Sequence, residues 1–421
     1  MREMKNSGVE WIGQIPKGWE LRRAKTLFTQ RNSKGNGIEV LLSPTQKYGV
    51  VPQSQLEGVV QVKEDTDLQM FKTVHKGDFV ISLRSFQGGF EYSLYEGVCS
   101  PAYQVFYPTS PICDTYYRYL FKSQSFISKM NNLTVGIREG KNIQYVDFAN
   151  SQIPVPPLAE QERIAAFLDA ECAEIDTVLE KTRASIEEYK KLKQAVITQA
   201  VTKGIRGDRP MKNSGIEWIG DIPAEWNKDK VIRVFSVIGS GTTPKSSDEN
   251  LFDGNTPWIQ SGDINGENLF VTKNCVSNSA IESYSALRVY QAPYLVVAMY
   301  GASVGNLSLS MIDACVNQAC CVLKKPTINL KFSFYIFKAV KDYLARKAVG
   351  GGQPNISQET IKQLWLPIPS ADEQIEISNY LDEKCNSVDA LIAKKQQYLT
   401  EIENYKKSLI YEYVTGKKEV V

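Results

Sequence analysis

The feature that most narrows what this chain can fold into is a long amphipathic helix written twice. Residues 159–202 and 372–415 each carry apolar positions at alternating steps of four and three. In the first they are Leu168, Cys172, Ile175, Leu179, Ile186, Tyr189, Val196 and Ala200. In the second they are Leu381, Cys385, Val388, Ile392, Leu399, Ile402, Leu409 and Tyr413, each 213 residues after its counterpart. The polar breaks also repeat, at Thr182 and Lys395 and at Lys193 and Lys406. A seam of this kind over four heptads marks a coiled coil rather than an ordinary globular face. At about 1.5 Å per residue, each helix would be a rod of roughly 66 Å.

Charge decides how two such rods pair. Glu160, Glu162, Asp169, Glu171, Glu174, Asp176 and Glu180 fill the front of the first helix; Lys181, Arg183, Lys190, Lys191 and Lys193 follow. The second helix repeats the order, from Asp372, Glu373, Glu376, Asp382, Glu383 and Asp389 to Lys394, Lys395, Lys406 and Lys407. Acid first and base last suits the helix dipole on its own account. Between helices it sets like against like in a parallel pair and acid against base in an antiparallel one. Each contact contributes only tenths of a kcal/mol, and the sum predicts an antiparallel two-helix rod.

The repeat extends beyond the helices. MKNSGVEWIGQIPKGW at 4–19 returns as MKNSGIEWIGDIPAEW at 211–226, an offset of 207. The chain therefore reads as two tandem halves, each an opening segment, a globular domain and a long helix. Both domains leave through a Pro-rich exit, IPVPPLAEQ at 153–161 and LPIPSADEQ at 366–374. Ser370 with Glu373 has capping-box spacing, and Gly204 suits a helix C-cap. Within the domains, Asp78–Leu83, Tyr103–Tyr107 and Tyr294–Met299 have strand composition, and Asp114–Met130 and Leu330–Ala348 have helical spacing. The division expected is a first domain over 1–158, a helix over 159–204, a second domain over 205–371 and a helix over 372–421. The fold class is α+β, with two globular domains joined by antiparallel coiled-coil helices in a pseudo-two-fold repeat.

Composition excludes several classes. No apolar run reaches the roughly 18 residues of a membrane span, and the opening MREMKNSGVEWIG has no signal core, which points to the cytoplasm. Eight cysteines include no C-x-x-C pair and read as reduced, mostly buried thiols. The single histidine, His75, nearly removes histidine-based catalysis and reads as structural or surface. A net charge of +2 is low for a free-standing nucleic-acid binder.

The loops hold polar sets of modest specificity. Arg84 and Gln87, beside Phe86 on a Gly-rich turn after a strand, suit base-edge readout. Arg138, Lys141, Asn142 and Gln144 form a second set, and Asn142-Ile143 aligns with Asn355-Ile356 at offset 213. In the second domain the set is Lys245, Gln260, Ser261, Tyr300, Ser303, Gln353 and Asn355, with Asp263, Asn265 and Asn306. For each, an ordinary surface loop or turn is the alternative. Gly239-Ser240-Gly241 completes no dinucleotide fingerprint, and no phosphate-binding loop occurs. The only Pro-Pro pair, Pro156-Pro157, is followed by Leu158, so the tetrapeptide of an amino-methyltransferase is missing too.

The chain resembles the specificity subunits of Type I restriction-modification enzymes over essentially its whole length. Trp11-Ile12-Gly13, Ile15-Pro16 and Trp19 carry the resemblance, with the copy Trp218-Ile219-Gly220, Ile222-Pro223 and Trp226. Pro156–Asp169 (PPLAEQERIAAFLD) and Pro369–Asp382 carry it further; Pro157 stands where the second copy has Ser370. The resemblance implies that each globular domain reads half of a split site in double-stranded DNA. It implies that the helices space the domains and dock two methyltransferase subunits, with restriction/translocase subunits joining for cleavage. It also implies a chain with no chemistry and no cofactor of its own, S-adenosylmethionine and ATP belonging to the partners.

Overall fold

A computed structural model describes residues 2–35, 40–56, 68–82, 89–133, 143–350 and 354–420. The chain forms two compact units, Met1–Arg183 with Gln397–Val421, and Ala184–Gln396. Each unit takes its helical part from both long helices.

The first unit opens on a hairpin, Met4–Asn6 against Gln14–Pro16. Its central sheet runs in the order Phe28–Arg31, Gln104–Pro108, Phe79–Ile81, Phe90–Tyr92, all antiparallel. The second and third of these occupy the stretches that strand composition marks. Phe28, Phe79, Phe90, Phe106, Phe121, Phe126 and Phe148 fill the core beneath the sheet, all essentially buried. The helix expected over 114–130 is two helices, Asp114–Lys122 and Gln124–Leu133. Ser123 separates them. Its hydroxyl and N–H both donate to Leu120 O, at 2.7 and 3.1 Å, and its backbone is extended. A serine that bonds the preceding turn in this way competes with helix continuation.

The second unit repeats the plan. Its hairpin is Met211–Asn213 against Asp221–Pro223, and Asn227–Lys230 pairs with Trp365–Ile368, as Glu20–Arg23 pairs with Gln152–Val155 in the first. The main sheet runs Phe235–Gly239, Cys320–Pro326, Tyr294–Ala298, Leu307–Ser310, Asn268–Leu269. A three-stranded sheet, Asn274–Val276, Thr256–Ile259, Cys315–Val316, lies within the same unit. The helix Leu330–Arg346 buries Phe332, Ile336, Phe337, Val340 and Leu344.

The long helices run Leu158–Lys203 and Ala371–Val414, within one residue of 159–202 and 372–415, but the division that carries the second helix to 421 overruns it, since residues 415–420 are turn and coil. Their antiparallel pairing is visible inside each unit. In the first, Asp176 meets Lys406 and Arg183 meets Glu403, both at 2.6 Å, while Phe167 packs on Tyr413 at 4.5 Å. In the second, Lys193 reaches Asp389 at 2.5 Å and Arg206 reaches Glu376 at 2.8 Å. As one index rises the other falls, and acid meets base. Lys193 and Lys406, breaks in the apolar seam, are thus the cations of two of these four pairs.

Each helix start is tied to the opening segment of its own unit. Trp19 Nε1 donates to Glu160 Oε2 (2.8 Å), Arg2 pairs with Oε1 (2.6 Å), and the guanidinium stacks over the Trp19 ring at 5.5 Å. Trp226, Glu373 and Arg209 repeat this at 2.9, 2.6 and 5.2 Å. The next residue, Gln161 or Gln374, accepts from the backbone N–H of Cys113 or Asn329 and donates to Pro156 O or Pro369 O. The capping box expected at Ser370 is therefore half made. Ser370 Oγ accepts from Glu373 N (3.3 Å), while the Glu373 carboxylate turns to Arg209 and Trp226. Gly204 ends its helix at φ 75°.

Candidate nucleic-acid interface

In the second unit the strand directions gather several loops at one end of the main sheet. Register places Gly239 beside Val322, Ala298 beside Cys320 and Val297 beside Leu307. The connections leaving those ends, around 240–245, 299–306 and 317–319, therefore share an edge. Asn317 N donates to Ile259 O (3.0 Å), which brings in the loop that starts at Gln260. Met299 N donates to Ala319 O (2.7 Å), and Ile356 N to Met299 O (2.9 Å), which brings in Asn355.

Glycines permit this closeness. A Cβ on Gly241 would stand 1.7 Å from Val316 O, and one on Gly239 would stand 2.2 Å from the Tyr290 hydroxyl. The Gly-Ser-Gly run is therefore a packing device that lets 240–245 lie against its neighbours.

The edge collects most of the polar residues singled out in this domain. Tyr300, 43% exposed, forms a bridge with Asn355, and Gly301 N donates to Pro354 O (2.9 Å). Asn306 Nδ2 donates to Ile264 O (3.4 Å), joining this loop to the Gln260–Asn265 loop. Asn274 Nδ2 donates to Gln260 Oε1 (2.8 Å). The Asp263 carboxylate accepts from Gln260 N (2.9 Å) and Lys273 N (3.3 Å), so it organises its loop. Ser303 Oγ donates to Tyr300 O (3.2 Å) and closes its own turn. Ser261 begins a short 3-10 turn, and Lys245 is exposed, its N–H donating to the Tyr284 hydroxyl (3.1 Å). Beyond Leu269 the loop carries Phe270 and Val271, 65% and 75% exposed, over a side groove of about 510 Å³.

In the first unit the corresponding strand ends are Arg31, Ile81, Phe90 and Gln104. Gln30 Nε2 donates to Gln104 Oε1 (2.5 Å) there, and Ser82 N to Gly89 O (2.8 Å). Arg84 and Gln87, between Ser82 and Gly89, lie outside the described residues, as do Arg138, Lys141, Asn142 and Gln353. Gln144 is exposed and precedes the helix Tyr145–Asn150. The aligned isoleucines, Ile143 and Ile356, are both buried, so half of that repeated pair anchors its loop.

Glu91 is buried on the strand Phe90–Tyr92, and burial pushes its carboxyl up to about 7 against the pull of Lys122, 2.6 Å away. Six of the eight free cysteines are buried, and burial pushes the Cys315 thiol up to about 11. His75 is exposed on a turn whose N–H is held by Asp78 (2.8 Å), and Asp78 pairs with Arg31 (2.7 Å).

Sequence reading missed Thr243, Asn274 and Gln318 at this edge. The signal for Gln318 was local: Asn317-Gln318 is the one polar pair inside the otherwise apolar run Ala314–Leu323.

The comparisons with known proteins agree with this architecture. The family model of the type I restriction modification DNA specificity domain matches twice, at residues 16–188 and 223–404. The chain belongs to this family of type I restriction-modification specificity subunits, and its function is DNA target recognition. It is 23% identical to the putative type I restriction enzyme MjaX specificity subunit of Methanocaldococcus jannaschii, covering 97% of this chain and 96% of that one. It is 22% identical to the type I restriction enzyme EcoBI specificity subunit of Escherichia coli, over 69% of this chain and 63% of that one. Among solved structures, one described as the structural basis of complex assembly and conformational transition of the type I R-M system matches with a TM-score of 0.74. The identity is 17%, over 96% of this chain and 99% of that one. The HsdS subunit from Thermoanaerobacter tengcongensis matches at 0.52, again with 17% identity, over 96% and 98%. Among the described residues no helix is long and apolar enough to cross a membrane.

Proposed function

We propose that each globular domain reads one half of a bipartite site in double-stranded DNA through its loop edge. The recognition domains are 1–158 and 205–371, and the helices 159–204 and 372–421 set the spacing between half-sites. Two methyltransferase subunits dock on the helices, restriction/translocase subunits join them, and the chain itself carries no chemistry. The assembly works in the cytoplasm.

The observation that carries this reading is a contrast within the repeat. The joint of tryptophan, arginine and glutamate is built twice from the same residues, whereas the loops on the sheet edges differ in composition: 82–89 reads SLRSFQGG and its counterpart 299–306 reads MYGASVGN. Two similar mounts presenting different loops suit two different half-sites. Arg84, Gln87, Arg138, Lys141, Asn142 and Gln144 are assigned to one half, and Lys245, Gln260, Ser261, Tyr300, Ser303, Gln353 and Asn355 to the other. The low net charge fits a chain whose partners supply much of the phosphate contact.

Docking has a narrower basis than the periodicity suggests. Beside the seam a second apolar set recurs at offset 213, Phe167, Val178, Ile197 and Val201 with Tyr380, Leu391, Ile410 and Val414, and of these Ile197, Val201 and Val414 are buried. Phe167, Tyr380 and Ile410 pack against the cores of their units. Val178 and Leu391, equivalent in the repeat, stay exposed at 39% and 43% and are assigned to the methyltransferase subunits.

The test exchanges residues 17–156 for the corresponding domain of a relative, with methylated sites sequenced in a host expressing the complex. One half of the modified site should change. A change in both halves, or in neither, overturns the modular reading.

A further inference from the structure

We propose that Gln318 is a base-reading residue of the second domain, that it reads an adenine, and that Thr243 positions its amide. The proposal rests on the reading of that domain as one half of the DNA interface.

Gln318 stands at the centre of the loop edge. It lies in the three-residue connection Asn317–Ala319, whose backbone is fixed on three sides. Asn317 N donates to Ile259 O (3.0 Å), Met299 N to Ala319 O (2.7 Å), and Ser240 Oγ to Gln318 O (3.4 Å). The turn also caps itself, since Ala319 N donates to Asn317 Oδ1 (3.1 Å). Asn317 and Ala319 are buried while Gln318 between them is exposed. An exposed side chain on so constrained a backbone is placed by the fold rather than by chance.

Its amide is oriented as well. Thr243 Oγ1 donates to Gln318 Oε1 (2.6 Å), which tethers that end of the amide and holds its plane. That leaves Nε2 as a donor with no protein partner among the described residues, and a second lone pair on Oε1. A donor beside an acceptor in one plane is the complement of adenine in the major groove, where N7 accepts and N6 donates. Guanine presents two acceptors there and would leave Oε1 opposed to O6. An amide held in place with Oε1 and Nε2 side by side therefore matches adenine and not guanine.

The test uses the full chain with its methyltransferase partners, selecting from a pool of duplexes with randomised positions. Wild type should yield a two-part motif, and Gln318→Ala should lose discrimination at one A·T position of one half only. The drop at that position should be roughly 5- to 150-fold, the range of one bidentate base contact. Thr243→Val should weaken the preference for adenine over guanine there, and Thr243→Ser should restore it; a merely structural threonine would not show this pattern. Helical signal and melting temperature of each variant establish that it folds. An unchanged motif for a folded Gln318→Ala overturns the proposal, as does equal weakening at every position. A wild-type pool with no two-part motif would instead overturn the reading on which it rests.

Discussion

Glu373 and Glu160 occupy equivalent places, yet their removal should not cost the same. Glu373 is 3% exposed in its side chain and Arg209 12%, against 13% and 19% for Glu160 and Arg2. Glu373→Ala removes an indole–carboxylate hydrogen bond, about 1.5–3 kcal/mol for a bond to a charged group. It also strands a largely buried guanidinium; breaking a buried pair typically costs about 3–5 kcal/mol. Arg209 keeps Lys203 O at 2.9 Å and the half-exposed Glu225 at 3.0 Å, which holds the loss near the low end. The expected loss is about 3 kcal/mol for Glu373→Ala and about 2 kcal/mol for Glu160→Ala, whose partners are more hydrated. For a cooperative unit of roughly 200 residues this is a fall in Tm of about 6–12 °C and 4–8 °C. Glu373→Gln keeps a hydrogen-bond acceptor and should lose about half as much. Calorimetry and urea unfolding of the full chain measure both. A loss under about 1 kcal/mol for Glu373→Ala, or a larger loss for Glu160→Ala, refutes the reasoning from burial.

Three further outcomes are expected. Glu91 has a folded pKa of about 7, above its ordinary 4.5, so the stability it contributes is full below about 4.5 and lost as pH rises through 7. Glu91→Gln should therefore stabilise the chain at pH 8 relative to pH 5 by about 3 kcal/mol against wild type; equal pH slopes in urea unfolding would refute this. Lys406→Glu faces Asp176 with like charge and should cost about 0.5–1 kcal/mol, recovered when Asp176→Lys is added. Val178→Asp with Leu391→Asp should leave stability within about 0.5 kcal/mol while weakening co-purification of methyltransferase subunits, and unfolding would refute their assignment as surface residues.

The long helices were legible because their signal is local and sustained. A seam of eight positions over four heptads needs no tertiary information, and the ends fall within one residue of Leu158, Lys203, Ala371 and Val414. The break at Ser123 was not legible, because hydrophobic spacing continues across it while the Ser123 hydroxyl and N–H both close on Leu120 O and its backbone turns extended. The burial of Ile197 and Val201 was not legible for the opposite reason. Their burial comes from residues distant in sequence, Ile219, Ile222 and Trp226, which share their core cluster. The interface lay between these cases. Composition marked its loops as candidates, but which of them meet depends on strand register, and Gln318 gained its place there only when Thr243 and Ile259 were brought to it.

The near-identity of the two opening segments has a physical reason once their polar atoms are followed. Asn6 and Asn213 accept from the N–H of Gly8 and Gly215 at 2.9 and 2.7 Å. Ser7 and Ser214 Oγ accept from Val9 and Ile216 N, both at 3.1 Å, while their own N–H groups donate to Gly13 O and Gly220 O. Gly8, Gly13, Gly215 and Gly220 all sit at φ between 68° and 71°, where a side chain strains the backbone. Ile12, Ile15 and Trp19 are buried, as are Ile219, Ile222 and Trp226. Almost every position thus has a bond, a backbone angle or a packed volume to satisfy, and few sequences satisfy all of them. The loop edges carry fewer such demands: Gly239 and Gly241 are fixed by close packing and Asp263, Asn306 and Asn317 by their bonds to backbone, while exposed residues such as Lys245, Phe270 and Val271 are free to differ. A segment that must form the same joint twice stays the same, while the loops of the same units are left free to differ.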